Sequence, residues 1–126
     1  VEHVNEPKRS DWDLDFRFGQ YGEQTVANLV ETIEVKSDRR WKDTGNLYIE
    51  TQCWSHNNKC WYQSGINATK ASHWAFNLEG LIIIVEVEKI RNAISLFGRE
   101  IKCEIPPNYS VGFLITVDDL LRIARW

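Results

Sequence analysis

Thr32-Ile33-Glu34-Val35-Lys36-Ser37-Asp38, followed after a short interval by Leu47-Tyr48-Ile49-Glu50-Thr51-Gln52, is the stretch whose reading decides the fold. Ile33 and Val35 alternate with Glu34, Lys36 and Asp38, and Leu47 and Ile49 alternate with Tyr48, Glu50 and Gln52. A period of two is that of a β-strand with one buried face. Between the two runs, Lys42-Asp43-Thr44-Gly45-Asn46 is rich in turn formers. The pattern predicts a hairpin whose polar faces bring Lys36, Asp38, Glu50 and Gln52 to one side of a sheet. Its register stays open by a few residues: a tight turn about Lys42 places Glu34 rather than Asp38 opposite Glu50.

Toward the N-terminus, Phe18, Tyr21, Val26, Leu29, Val30 and Ile33 approximate a 3.6-residue period and predict a helix over 20–30. Glu23 precedes Val26 and Val30 by three and seven residues. It therefore borders the buried stripe, where an unpaired carboxylate is costly. Residues 1–15 are polar and acid-rich and read as a loose arm. Toward the C-terminus, Cys53 to Ala71 reads as a polar loop ending in a helical turn near Thr69. Trp74–Leu78 and Leu81–Glu86 read as strands around Glu79-Gly80, the second apolar on both faces and so expected at the centre of the sheet. Val87, Ile90, Ile94 and Phe97 recur at helical spacing, Pro106-Pro107 marks a turn, and 112–115 is a short strand. Thr116 with Asp119 forms a capping box for a last helix carrying Leu120, Leu121 and Ile123. The order predicts an α/β fold, a mixed sheet with helices packed on it.

At 126 residues, 43% hydrophobic and 26% charged, the chain fits a single domain, 1–126, with one modest core. The longest apolar run, Leu81 to Val85, is far short of the roughly 20 residues of a spanning helix. The charged start Val-Glu-His lacks the apolar core of a signal peptide. Three cysteines, an odd number at undistinguished spacing, fit reduced thiols better than a disulfide framework. Together these predict a soluble protein of the cytoplasm, the host's if the source is viral.

The formal charge of −3 argues against a histone-like binder, but the average conceals a division. Residues 39–74 carry Arg39, Arg40, Lys42, Lys59 and Lys70 against Asp43 and Glu50, net +3, leaving −6 for the remainder. The same segment holds Trp41, Trp54, Trp61, Tyr62 and Trp74. Cations interleaved with aromatics suit nucleic acid, because cations neutralise phosphate and flat rings stack on unpaired bases. Ordinary core aromatics beside a solvated loop are the plainer alternative.

Carboxylates converging on a sheet face beside a Lys or Gln are the parts of metal-assisted phosphodiester hydrolysis, since hard Mg2+ prefers carboxylate oxygens and keeps several waters. Asp38 and Glu50 are the expected ligands, Lys36 or Gln52 the group orienting water or phosphate, and Glu23 the acid completing the site from the helix. Ser64, Thr69 and Lys70 are candidate DNA-phosphate contacts, as are Arg39, Arg40 and Lys42 at the expected hairpin tip. A surface ladder of cross-strand ion pairs is the structural alternative for Lys36, Asp38 and Glu50.

The pieces also carry a resemblance. A helix with Gly22-Glu23, a strand ending Glu34-Val35-Lys36-Ser37-Asp38, and Thr44-Gly45-Asn46-Leu47-Tyr48-Ile49-Glu50-Thr51-Gln52 resemble the PD-(D/E)XK nuclease superfamily. The segments Ser64-Gly65-Ile66 and Thr69-Lys70-Ala71 are similar to those of its small phage-type members. The resemblance covers about 19–88. It implies a restriction-endonuclease-like fold, a mixed β-sheet flanked by α-helices, with Mg2+ dependence (Mn2+ substituting) and DNA as substrate, branched DNA in the junction-resolving members. Residue by residue, Glu23 matches the helix acid, Asp38 the metal-binding Asp, Glu50 the strand acid and Gln52 the position usually held by Lys. The Gln52 departure leaves Lys36 as the candidate ammonium, and no Pro precedes Asp38.

The leading expectation is thus a Mg2+-dependent DNA endonuclease acting as a homodimer, because two symmetric nicks require two sites in two-fold relation. The alternative is a degenerate module of the same fold that binds DNA or a protein partner without cleavage. A third reading takes Cys53, His56 and Cys60, with His73 or Cys103, as zinc ligands, although structural sites use tighter paired spacing.

Overall fold

A computed structural model describes residues 17, 19–27, 32–38, 40–105 and 108–123. The chain divides into two compact units, Val1–Glu31 and Thr32–Trp126. In the first, a helix α1 runs over 19–27, overlapping the helix expected at 20–30; the expected arm, 1–15, lies outside the described residues. The second unit is mixed α/β, with two sheets and three further helices.

One sheet has the order β1-β4-β5, with β1 at Ile33–Ser37, β4 at His73–Asn77 and β5 at Ile82–Glu86. β1 runs parallel to β4, and β4 and β5 form an antiparallel hairpin whose loop includes Glu79 at a φ of 55° and Gly80. The other sheet is antiparallel throughout, in the order β3-β2-β7-β6: β3 is Cys60–Gln63, β2 Asn46–Ser55, β7 Asn108–Thr116 and β6 Arg99–Ile105. Helices α2 (Trp41–Thr44), α3 (Val87–Phe97) and α4 (Val117–Ile123) complete the unit. α3 follows the expected bounds because Val87, Ile90 and Ala93 are buried along one face. At α4, Asp119 N–H donates to Thr116 Oγ1 at 3.0 Å, as the capping box requires.

The core lies where both sheets meet α3 and α4. Trp74 and Phe76 of β4 pack with Leu47 and Ile49 of β2, Ile115 of β7, Ile90 of α3, and Leu120 and Ile123 of α4. Alternation in β4 explains its share: Trp74 and Phe76 lie on one face, their rings 6.1 Å apart and edge to face.

Four expectations are corrected. β1 and β2 form no hairpin; they belong to different sheets. The turn formers between them build α2, and the Asp38 carboxylate clamps that corner by accepting from Arg40 N–H at 2.8 Å and Tyr48 N–H at 3.2 Å. The stretch read as a polar loop continues β2 to Ser55 and adds β3, because Trp54 faces Trp61 and Cys53 faces Tyr62 across the strands, the kind of aromatic pair that stabilises a ribbon. β5 is an edge strand rather than a central one, with Ile82 and Ile84 exposed. β6, not anticipated, alternates Ile101 and Cys103, half-buried, with Glu100, Lys102 and Glu104 in solvent. The Pro106-Pro107 turn lies outside the described residues. No helix among the described residues is long and apolar enough to cross a membrane.

Gly112 of β7 sits opposite Glu50, where an added Cβ would lie 2.4 Å from the Ile49 carbonyl oxygen and 2.7 Å from the Tyr48 ring. Neither the paired backbone nor the packed ring can retreat cheaply. Gly112→Ala is expected to lower stability by about 1–3 kcal/mol, read as a reduced urea midpoint at an unchanged slope.

Candidate active site

On β1, Glu34 and Lys36 are separated by one residue and share a face, opposite Trp74 and Phe76 of β4. Their side chains form an ion pair, Lys36 Nζ to Glu34 Oε1, at 2.9 Å. The second oxygen, Oε2, accepts from the Thr69 hydroxyl at 2.6 Å. Thr69 Oγ1 in turn accepts from Trp74 Nε1 and Ala71 N–H, each at 3.2 Å. One hydroxyl thus spends its proton on the carboxylate and its lone pairs on the core and the loop. Lys36 Nζ also lies 4.5 Å from the centroid of the Trp74 ring, within cation–π range. Burial pushes the Glu34 carboxyl upward in pKa, but the bonds from Lys36 and Thr69 and the Lys36 charge outweigh it, and the net shift is downward.

Lys36 and Asp38 line a cleft of about 560 Å³ together with Arg40, Tyr48, Phe76 and Ile101. Tyr48 and Glu50 stand two residues apart on the same face of β2, since Tyr48 pairs with Leu114 and Glu50 with Gly112. The Tyr48 hydroxyl bonds to Ser110 Oγ at 2.7 Å. Burial raises its pKa first and the Glu50 charge adds to the rise, which places that carboxylate within electrostatic reach of the cleft wall.

The register of β2 against β7 breaks between Glu50 and Gln52, leaving Thr51 as an extra residue. Its hydroxyl donates to the Val111 carbonyl at 3.0 Å, and its carbonyl accepts from Ser64 N–H at 2.9 Å. Beyond this bulge the faces are exchanged. Glu50 is opposite Gly112 and Gln52 opposite Val111; because Gly112 and Val111 are neighbours on β7, Glu50 and Gln52 point to opposite sides of the sheet. Cys53 takes the Glu50 face instead. Burial lifts its thiol pKa, the Ser64 hydroxyl opposes the rise and Glu50 adds to it, so the sulfur is a protonated packing group rather than an activated nucleophile.

The loop after β3 is fastened to this bulge. Gly65, at a φ of 52°, lies so close to β2 that a Cβ would fall 2.1 Å from the Glu50 carbonyl oxygen. Ser64-Gly65-Ile66 therefore packs backbone to backbone against the Glu50 segment, with Ile66 in the core.

The structure brings only some of the expected site residues together. Lys36 and Asp38 line one cleft, with Glu50 on its Tyr48 side, but both Asp38 oxygens hold backbone N–H groups that define the corner into α2. Gln52 is turned away. Glu23 lies on α1 in the other unit, and Arg39 lies outside the described residues. Arg40 and Lys70 are exposed, whereas Lys42 is ion-paired with Glu79. Thr69 donates its hydroxyl to Glu34. Among the described residues, no group of three or more His, Cys, Asp or Glu is arranged to hold a metal ion. Of the zinc candidates, the His56 ring packs on Tyr109 at 5.8 Å, and Cys60 is exposed opposite Ser55. Sequence reasoning gave Glu34 only as the register alternative to Asp38, and Trp74 only as one of the aromatics interleaved with cations. The available signal was the triplet Glu34-Val35-Lys36, which puts an acid and an ammonium on one face of a strand whatever its partner.

No protein family, curated protein or solved structure matches the chain.

Thr69→Val keeps the shape of the side chain but removes the hydroxyl, leaving the indole N–H of Trp74, 1% exposed, without its acceptor. A loss of about 1–3 kcal/mol is expected by denaturant unfolding. For Glu34, a folded-state pKa below the ordinary 4.5 means that its contribution to stability is complete above that value and disappears as pH falls through the folded one. The stability gap between the wild type and Glu34→Gln is therefore expected to close on acidification below 4.5; a gap that widens toward acid would show that the carboxyl is held neutral.

Proposed function

We propose that this chain is a Mg2+-dependent endodeoxyribonuclease built on a restriction-endonuclease-like arrangement. The observation that carries the reading is the Glu34–Lys36 pair beside the cleft, held by Thr69 from a loop packed against the Glu50 segment. Glu34-Val35-Lys36 fits the acid-X-Lys signature in the name of the PD-(D/E)XK superfamily, with the lysine that Gln52 could not supply.

The donor set suits Mg2+ better than zinc. Magnesium keeps several waters and takes only one or two carboxylates. Glu34, beside Lys36, is the acid that would hold it, and Glu50 is the second acid that the reading requires. The partners of Glu34 are side chains that can turn aside, whereas withdrawing Asp38 would cost the N–H bonds that shape the α2 corner. When bound, the ion supplies an activated water and neutralises charge on the scissile phosphate. Lys36, released from Glu34, offers its ammonium to the phosphate oxygens. Thr69 keeps the carboxylate aimed, and Tyr48 and Phe76 give the cleft its apolar wall. A homodimer in two-fold relation would place two such centres on the two strands of a duplex.

Binding without cleavage is the second reading. What favours it is that both oxygens of Asp38, one of the expected ligands, are already engaged by backbone N–H groups.

Nicking of supercoiled plasmid and cutting of a four-way junction are expected with Mg2+ or Mn2+ and not with EDTA. Glu34→Gln, Lys36→Ala and Glu50→Gln should each lower the rate by about a hundredfold or more. Full activity in Glu34→Gln and Lys36→Ala would remove the proposed centre, and DNA binding without any cleavage would select the second reading.

A further inference from the structure

The bulge at Thr51 turns Gln52 to the side of the sheet opposite Glu50. At one end of the Gln52 side, Leu47, Ile49 and Ile115 are buried in the core; beyond them the same side opens into a hollow of about 450 Å³. Gln52, Trp61, Asn67, Glu100, Lys102 and Phe113 line it. Trp61 is 38% exposed and held in place on two sides: Trp54 meets it nearly edge-on at 5.6 Å, and Lys102 Nζ lies 5.6 Å from its ring centroid.

We propose that this hollow binds an unpaired nucleotide of a DNA strand whose duplex part engages the Glu34–Lys36 cleft. The proposal rests on the nuclease reading and names the kind of substrate it prefers, DNA with a frayed or single-stranded arm. The chemistry of the lining carries it. A base has a flat π-face, edge donors and acceptors, and a phosphate on either side; the hollow offers a preset indole, two amides and an ammonium. A base entering over the Trp61 ring displaces the Lys102 ammonium, whose flexible stem lets it move to the adjoining phosphate. The Gln52 and Asn67 amides can each donate and accept at base edges, and Asn67 is oriented by its bond to Gln63 Oε1 at 2.7 Å. Glu100 lies two residues from Lys102 and, as a pure acceptor, favours bases with an exocyclic amine such as cytosine over thymine.

Topology supplies the route. β3 is the edge strand of its sheet, and its adjacent aromatics Trp61 and Tyr62 point to opposite faces, Trp61 toward the hollow and Tyr62, half exposed, toward the Glu50 side. A single strand leaving the cleft can therefore round this edge from one aromatic to the next. A duplex is too wide and stiff to do so.

The test compares binding of a fluorescent blunt duplex with that of a forked duplex of the same length carrying oligo-dC arms, both in EDTA so that nothing is cut. The wild type should favour the fork. Trp61→Ala and Lys102→Gln should each lower the fork-to-blunt affinity ratio by about tenfold, and Trp61→Phe, which keeps a ring, should restore most of it. Circular dichroism and the urea midpoint establish that the variants are folded. A ratio that stays at the wild-type value in folded Trp61→Ala and Lys102→Gln overturns the proposal, as does absence of fork binding by the wild type. Because no metal is present, loss of the cleavage reading in the plasmid assay leaves this result intact, and the converse also holds.

Discussion

One surplus residue governs how this unit is arranged. Thr51 has no partner opposite it on β7, and an unpaired peptide in a half-buried strand persists only if its polar groups are satisfied elsewhere. They are: the carbonyl takes Ser64 N–H and the hydroxyl reaches the Val111 carbonyl. The first of these bonds fastens the loop after β3, so that Gly65 packs on the Glu50 carbonyl, Ile66 enters the core and Thr69 arrives three residues later at Glu34. The second anchors the bulge to β7. Without this surplus residue, Gln52 would fall on the same face as Tyr48 and Glu50.

The same bulge explains what the sequence showed and what it hid. Signals that depend on near neighbours were legible: the 3.6-residue spacing of α3, the Thr116–Asp119 cap and the β4–β5 hairpin. Signals that depend on distant partners were not. Alternation marks Ile33–Ser37 as a strand but carries no trace of its parallel pairing with β4, some forty residues on. The expected hairpin took residues 39–46 for a simple turn, where Asp38 and α2 redirect the chain. Lys36 and Glu50, expected on one side of one sheet, stand on strands of different sheets. Gln52 was misplaced because the period of two assumes unbroken register, and nothing in Glu-Thr-Gln announces that Thr51 will be expelled from the ladder.

Stability alone does not account for the care taken over Glu34. Its ion pair with Lys36 is more than a third exposed on the carboxylate side, and such pairs contribute about 0–1 kcal/mol. Yet a threonine hydroxyl, an indole N–H from the core and the face of that indole all bear on it. The arrangement fixes the position and charge of one carboxylate and one ammonium beside a cleft, the preorganisation that the proposed catalysis would require. Trp74 belongs to both systems, so packing in the core sets where the polar groups stand.

Electrostatics also limits how this chain could hold a polyanion. Its net charge is −3, Lys36 and Lys42 are ion-paired with Glu34 and Glu79, and the exposed cations of the described residues, among them Arg40, Lys59, Lys70, Arg99 and Lys102, are spread over several elements rather than gathered in one stripe. Counterion release scales with the number of phosphates neutralised, so few cations give a weak, non-specific attraction. On the proposed reading the deficit is offset by stacking, which needs no charge and is sequence-tolerant because every base has a π-face. The edge strand supplies rings to both sides of the sheet, Trp61 on one and Tyr62 on the other. Stacking at such rings requires bases that are not already paired, and that turns a shortage of positive charge into a preference for DNA that is open.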